Sequence, residues 1–245
     1  MVVISSSHLY TKNELFTLTT SLNLSGYNDK KIMVVYDCDN HTKKYLKENG
    51  WKIYEKKLNG IQVVTQRFLD FYNILKEYSD NEFILSVDSR DVYFHKNPML
   101  IERSDLYIGI DGNCSLEENK WATDEMVKMY PSEYSKIKNN YHLCAGVVMG
   151  KNKIVRNLFK DTFDFTFKSI IFDPDNLGKK STVDQMSFNI LAYNKYNYKV
   201  TDNNIVINLG STYWDIQKEY HIYHQYDRIQ NFWKIIPSKI SKKLI

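Results

Sequence analysis

The sequence has no apolar run near the ~18 residues that would cross a bilayer, so nothing in it reads as a membrane span. Its opening, MVVISSSHLY, has too short an apolar stretch for a secretory signal and no basic leader. Cysteine is sparse. Cys38, Cys114 and Cys144 are odd in number and far apart, with no CxxC. That argues against a disulfide framework and reads as reduced, semi-buried thiols in a soluble cytoplasmic protein. The chain also lacks a strong charge: the net value is +4, with acids and bases interleaved, so no nucleic-acid partner is expected. The only basic block is the tail KIIPSKISKKLI, read as a solvated helix or as a weak peripheral contact with an anionic membrane surface. No repeat, low-complexity block or Pro/Ser linker divides the chain, so residues 1–245 are read as one domain.

What is present is an ordinary globular composition, 43% hydrophobic and 25% charged, with high aromatic content carried mostly by 19 tyrosines. Tyrosine in such numbers suits wet clefts, because its ring is apolar and its hydroxyl is not. Hydrophobic spacing gives a coarse map. Val2–Ser5 reads as a buried strand entering a Ser-rich turn, Lys12–Leu24 as a helix stopped near Gly26, and Ile32–Asp37 as a buried strand. A helix over His41–Asn49, a strand over Trp51–Leu58, a long helix over Val63–Tyr78 and a buried strand over Phe83–Val87 follow. This strand–helix alternation predicts an α/β fold with a mostly parallel central sheet and helices on both faces. Later come strands over Asp105–Ile110 and Leu143–Gly150, and helices over Lys153–Ile171 and Thr182–Tyr193. Short strands are expected over Ile205–Leu209 and His221–Gln225, and Ser115–Asn140 reads as loop and helix.

The chemistry concentrates where ILSVDSRDVYF places Asp88 and Asp91 at the end of an apolar run. Ligands of open α/β sheets bind at the carboxyl ends of strands. A carboxylate pair there is a natural site for Mg²⁺ or Mn²⁺, which prefer oxygen ligands and keep positions open for phosphate. The competing reading is that Asp88 caps a turn while Asp91 pairs with Arg90 or Lys96. Two closer-spaced acid pairs compete as well: YDCDN, with Asp37 and Asp39, and FDPDN, with Asp173 and Asp175.

The order VVISSS, QRFLDFYNILKEY, ILSVDSRDVYFHKNP, LCAGVVMG, STVDQMSFNILAY and HIYHQYDR resembles the nucleotide-sugar glycosyltransferases of the GT-A fold. It is particularly similar to small viral and microbial transferases with a VDSRDVYF-type acidic motif, in place of the more usual Asp-x-Asp. The resemblance implies a single GT-A-like (Rossmann-like) domain, with a nucleotide-binding half over 1–95 and a donor-sugar and acceptor half over 96–245. It implies that Ser5, Ser6 and Ser7 line the nucleoside pocket and that Arg67 reaches the nucleotide. Asp88 and Asp91 would serve ribose and metal, either of them being the direct ligand, with His224 completing a Mn²⁺ or Mg²⁺ shell. Ala145 and Gly146 would offer backbone N–H groups to the donor sugar. Asp184 and Gln185 would meet the same sugar, Asp111 would stand near the acceptor as a candidate base, and Arg228 would neutralise the diphosphate. The bland readings are a helix-capping Asp184, a turn residue at Asp111 and a structural histidine at 224.

The activity so implied is transfer of a hexose-type sugar from a UDP-linked donor to a hydroxyl of a glycan or glycoconjugate; retention is the expected outcome only because the sequence offers no strong base candidate. The alternatives weighed beside it are a metal-dependent phosphohydrolase or nuclease and a non-catalytic sugar-binding domain. A phosphohydrolase is disfavoured because YDCDN is followed by Asn40-His41 instead of a nucleophile-type continuation.

Overall fold

The computed structural model describes residues 1–174, 183–201, 205–208 and 220–228. The expected basic tail, the start of the helix at 181–182 and part of FDPDN lie outside them. The first half follows the predicted alternation: β1 (Val2–His8), α1 (Lys12–Leu24), β2 (Lys30–Tyr36), α2 (Asn40–Glu48), β3 (Trp51–Lys56), α3 (Val63–Leu75) and β4 (Phe83–Val87). Then come β5 (Val92–Phe94), β6 (Leu106–Ser115), α4 (Lys120–Met129), α5 (Pro131–Ile137), β7 (Tyr141–Lys151) and α6 (Asn152–Phe172). The last elements are α7 (Val183–Lys195), β8 (Lys199–Val200), β9 (Val206–Asn208) and β10 (Ile222–His224).

A seven-stranded sheet runs β3-β2-β1-β4-β7-β6-β8. Strands β1 to β4 are mutually parallel, and β7 is antiparallel to both β4 and β6. Strand residues alternate between two cores, as the pleat requires. Val3, Met33 and Leu85 meet Leu15, Leu18 and Leu22 of α1 and Leu46 of α2 on one face. Val2, Ile4, Val34 and Ile84 meet Phe68 and Phe71 of α3, Phe159 of α6 and Phe188 of α7 on the other. Each buried phenyl contributes about 1.5–3 kcal/mol, which fixes α3 against the sheet. Helix α3 is further tied down by Asp70, which accepts from Tyr36 Oη at 2.7 Å and from Gln66 at 3.1 Å. No helix among the described residues is long and apolar enough to cross a membrane.

Two features position the site. First, β1 pairs with β2 along its whole length, to His8↔Tyr36, but with β4 only from Val2↔Ile84 to Ile4↔Ser86. Beyond Ile4 the strands part, and a crevice opens at the point where strand order reverses. Second, β5 joins the two expected short strands β9 and β10 in a separate three-stranded sheet, and β5 itself was not expected. Three residues such as VYF are too short for any periodicity to register. The serines also differ from expectation, because β1 continues through His8 and Ser5–Ser7 are strand residues, not a turn. The reason is pairing: β2 satisfies the backbone of β1 to its end.

Candidate active site

Strand register assembles the acidic cluster. Asp88 follows β4 and donates its N–H to Gly146 of β7 at 2.8 Å, so it lies directly beside that glycine. Asp91 precedes β5, in which Val92 pairs with His224 of β10. Three carboxylate or imidazole ligand atoms, one each from Asp88, Asp91 and His224, thereby come within 4.8 Å of one another. His224 Nε2 stands 3.3 Å from Asp88 Oδ2 and 3.6 Å from Asp91 Oδ1. Gly146 makes room for this: a Cβ there would sit 2.3 Å from His224 Cε1 and 2.8 Å from Asp88 Oδ2.

The cluster is braced from behind. Asn208, paired with His224 across β9 and β10, accepts at His224 Nδ1 and donates to the carbonyl of Ile110. The accepting amide oxygen holds a proton on Nδ1, so Nε2 is the atom turned to the two carboxylates, donating to them in the unliganded cluster and free to ligate once its own proton is lost. Arg67 on α3 is largely buried. It bonds Asp88 and reaches Asp184 Oδ2 at 3.8 Å.

Electrostatics separate the acids. Burial would raise the Asp88 pKa, but the Arg67 charge and the His224 hydrogen bond outweigh it and hold the carboxyl well below its usual range. Burial pushes Asp91 up, with His224 opposing and the Asp88 charge adding. His224 is driven well above an ordinary imidazole: burial opposes the charge, while Cys144 and Asp91 favour it. Mutual stabilisation of this kind is what a cation-shaped cluster of acids does when a proton stands in the middle. Asp184, in the first turn of α7, is pushed up to about 7 by burial, against the Arg67 charge.

Two adjoining cavities share Val64, Arg67, Asp88 and Arg228. One, of about 230 Å³, lies over the parted strands and is lined by Ser6, His8, Tyr10, Ser89, Arg90 and Asp91. The other, of about 410 Å³, takes in Asp111, Trp121, Gly146, Asp184, Gln185 and His224. Arg228 is exposed, on a 3₁₀ turn over Tyr226–Arg228 that Arg90 anchors through Asp227 at 3.0 Å.

The expected residues divide accordingly. Ser6 lines the first cavity, whereas Ser5 and Ser7 are buried on the opposite face of β1, Ser7 lying 3.3 Å from Cys38 Sγ. The Ala145 N–H donates to Gln185 Oε1 at 3.1 Å and so is turned to the protein, not to the cavity. Gln185 also donates to the carbonyl of Leu143 at 2.6 Å. Asp39 is the N-cap of α2, accepting from Thr42 N–H at 2.6 Å, and Asp37 stands exposed in a left-handed turn with φ 53°. The thiols of all three cysteines are free. Sequence reasoning missed Asn208 and His142. Asn208 lies in Ile205–Leu209, read only as a short strand. His142 is wholly buried beside Asp111, 3.3 Å from its carboxylate.

No protein-family model matches the chain, and no curated protein matches it. Among solved structures it is similar to the galactosyltransferase LgtC in complex with donor and acceptor sugar analogs. The identity is 13% and the TM-score 0.59, over 99% of this chain and 96% of that one. It is likewise similar to an active-site mutant of LgtC, at 12% identity and TM-score 0.59, over 99% and 95%. At such identities the likeness is one of fold. The chain has the GT-A-like architecture, a mixed α/β domain with a mostly parallel central sheet between helices.

Proposed function

We propose that the protein is a metal-dependent glycosyltransferase, moving a hexose-type sugar from a UDP-linked donor to a hydroxyl of a glycan or glycoconjugate with retention. The observation that carries this reading is the Asp88–Asp91–His224 cluster, seated at the switch-point crevice between two cavities and cradled by a glycine that admits no Cβ. Residues 1–95 form the nucleotide half. Ser6, His8 and Tyr10 meet the nucleoside, and Arg67 fixes Asp88 from beneath. Residues 96–245 carry the donor-sugar and acceptor half.

A divalent cation, Mn²⁺ or Mg²⁺, held by Asp88, Asp91 and His224 would offset the charge of the diphosphate as the sugar–phosphate bond breaks. The chain's own contribution is positional. Asn208 presents His224 Nε2, Gly146 leaves space for it, and Arg228 faces the diphosphate as a charge-assisted donor. Asp184, with its carboxyl near neutrality, offers a hydrogen bond in either protonation state to a donor-sugar hydroxyl. Asp111 is held below the usual carboxylate range: burial opposes this, but the His142 contact outweighs it. A weakened base at that wall favours retention over inversion, because general bases work best with a pKa near the working pH.

The test is a thermal-shift screen of nucleoside diphosphates and sugar nucleotides with and without Mn²⁺, followed by calorimetry of UDP. A UDP response that requires Mn²⁺ is expected. No response to any nucleoside diphosphate overturns the reading. Mn²⁺-dependent sugar-nucleotide hydrolysis that needs Asp91 separates it from a non-catalytic sugar-binding domain, and turnover of simple phosphate esters would favour a phosphohydrolase.

A further inference from the structure

The wall of the larger cavity away from the acidic cluster is built around one buried side chain. His142 is wholly inaccessible, yet it touches four residues that line the cavity. Its Nδ1 lies 3.3 Å from Asp111 Oδ2 and 3.3 Å from Asn119 Nδ2, its Nε2 lies 3.4 Å from Gln185 Nε2, and its ring centre lies 5.6 Å from that of Trp121. The surrounding amides are oriented by backbone. Asn119 Oδ1 caps α4 by accepting from Ala122 N–H at 3.1 Å, and Gln185 Oε1 accepts from Ala145 N–H. Gln185 Nε2 and Asn119 Nδ2 thus each turn an N–H toward the ring, at Nε2 and at Nδ1, and Nδ1 also faces the Asp111 carboxylate, so the one imidazole links all three.

The ladder explains how Asp111 reaches this position. Strands β6 and β7 pair at Ile110↔Leu143 and next at Ser115↔Tyr141, so an irregular stretch of β6 bulges out opposite His142 alone. Trp121 is the counterpart. Helix α4 is seated by Ala122 and Met126 in a small core with Met186 and Ile190 of α7, yet its tryptophan stays 45% exposed toward the cavity. An indole face and a carboxylate lining one cavity, both set against His142, form a surface suited to a sugar. The apolar C–H face of a pyranose covers the ring, and its hydroxyls bond the carboxylate.

We propose that Trp121 and Asp111 form the subsite for a pyranose ring of the acceptor, and that His142 is a positioning residue holding the two in register with Gln185 on the donor side. This rests on the glycosyltransferase reading and extends it to the acceptor's chemistry. The subsite takes a ring with an exposed apolar face, not a peptide hydroxyl or a lipid alcohol.

The experiment is saturation-transfer NMR with methyl β-D-glucopyranoside, methyl β-D-galactopyranoside and methyl α-D-mannopyranoside on the full chain loaded with UDP and Mn²⁺. UDP binding to the wild type is checked separately by calorimetry, and folding of each variant by circular dichroism. At least one glycoside is expected to receive saturation. Trp121→Ala should weaken it by about tenfold, and Trp121→Phe by less. His142→Asn, whose amide N–H can bond the Asp111 carboxylate, should retain the response that His142→Leu loses. A wild type that binds UDP but transfers saturation to none of the glycosides overturns the subsite, as does a Trp121→Ala protein that binds them normally. Equal responses from the Asn and Leu variants overturn the role of His142. Absence of UDP binding to the wild type counts against the transferase reading itself.

Discussion

Replacing Gly146 by alanine tests the site with a single methyl group. The added Cβ would lie 2.3 Å from His224 Cε1, 2.7 Å from His224 Nε2 and 2.8 Å from Asp88 Oδ2. Ordinary contact begins about 3.4 Å out, so the imidazole must retreat by roughly 1 Å. It has nowhere to go. His224 is 1% exposed, its Nδ1 is engaged by Asn208 and lies 3.7 Å from Cys144 Sγ, and β10 is paired on both sides. Metal–ligand distances tolerate about 0.2 Å, so the displaced ring stops being a ligand. We expect Mn²⁺-dependent UDP affinity to fall by about a hundredfold or more, equivalent to ~2.7 kcal/mol. Overpacking of the unliganded protein should cost about 1–3 kcal/mol and lower Tm by roughly 2–12 °C. Calorimetry of UDP at saturating Mn²⁺ reads the first effect and thermal unfolding without metal reads the second. UDP binding within threefold of wild type would refute the argument that this glycine exists to admit the cluster.

Other consequences follow from the same geometry. Asp91→Ala should abolish Mn²⁺-dependent UDP binding, while Asp39→Ala should leave it within about tenfold and cost only ~1 kcal/mol of stability as a lost helix cap; calorimetry and urea unfolding separate the two. Asn208→Leu frees His224 Nδ1 and should weaken Mn²⁺ binding by about 10–100-fold, measured by competition with a metal-sensitive dye, and undiminished affinity would exclude the bracing role. Asp184 gives a pH signature in the unliganded protein. Its folded pKa, about 7, lies above the ordinary 3.8, so folding favours the protonated form. Its ionisation costs nothing below the ordinary value, grows as pH rises between about 4 and 7, and is complete above that window. Asp184→Asn should therefore gain stability over wild type progressively across that range, by a few kcal/mol at the upper end on the order given by the shift. A constant difference in urea midpoints from acid to neutral pH would contradict it.

Much of this was legible in the sequence, and the limits have physical causes. α1 and β4 were readable to the residue because a buried helix face and a doubly covered strand each carry a strong hydrophobic signal. Asp88, Asp91, His224, Arg67, Asp184 and Gln185 line the two adjoining cavities. The serines were blurred because a strand end and a Ser-rich turn look alike until pairing is known. β1 alternates faces, so only Ser6 among them reaches the cavity. Asn208 and His142 were invisible for another reason. Their roles depend on register between segments far apart in the chain: Asn208 opposite His224, and His142 opposite a bulge. No local pattern encodes such pairings.

The same register accounts for the two residues that separate Asp88 from Asp91. Asp88 ends a strand of the seven-stranded sheet, and its backbone bonds Gly146 of β7. Asp91 opens the three-stranded sheet, and its carbonyl accepts from Gln225 N–H at 2.8 Å, immediately after His224. Ser89 and Arg90 are the turn that carries the chain from one sheet to the other, and Arg90 uses its side chain on Asp227 and its carbonyl on Tyr226 Oη. A spacing with one residue fewer would leave the second carboxylate inside the turn, without β10 beside it and without His224 within reach. The cluster thus sits at the seam of two sheets, with one of its three side chains from the first and two from the second. A cation bound there would close the seam, so Mn²⁺ alone should protect the amides of β5 and β10 from hydrogen exchange while leaving those of β1 and β2 unchanged. Equal protection of both sheets would mean that the two behave as one rigid body and that the spacing has some other cause.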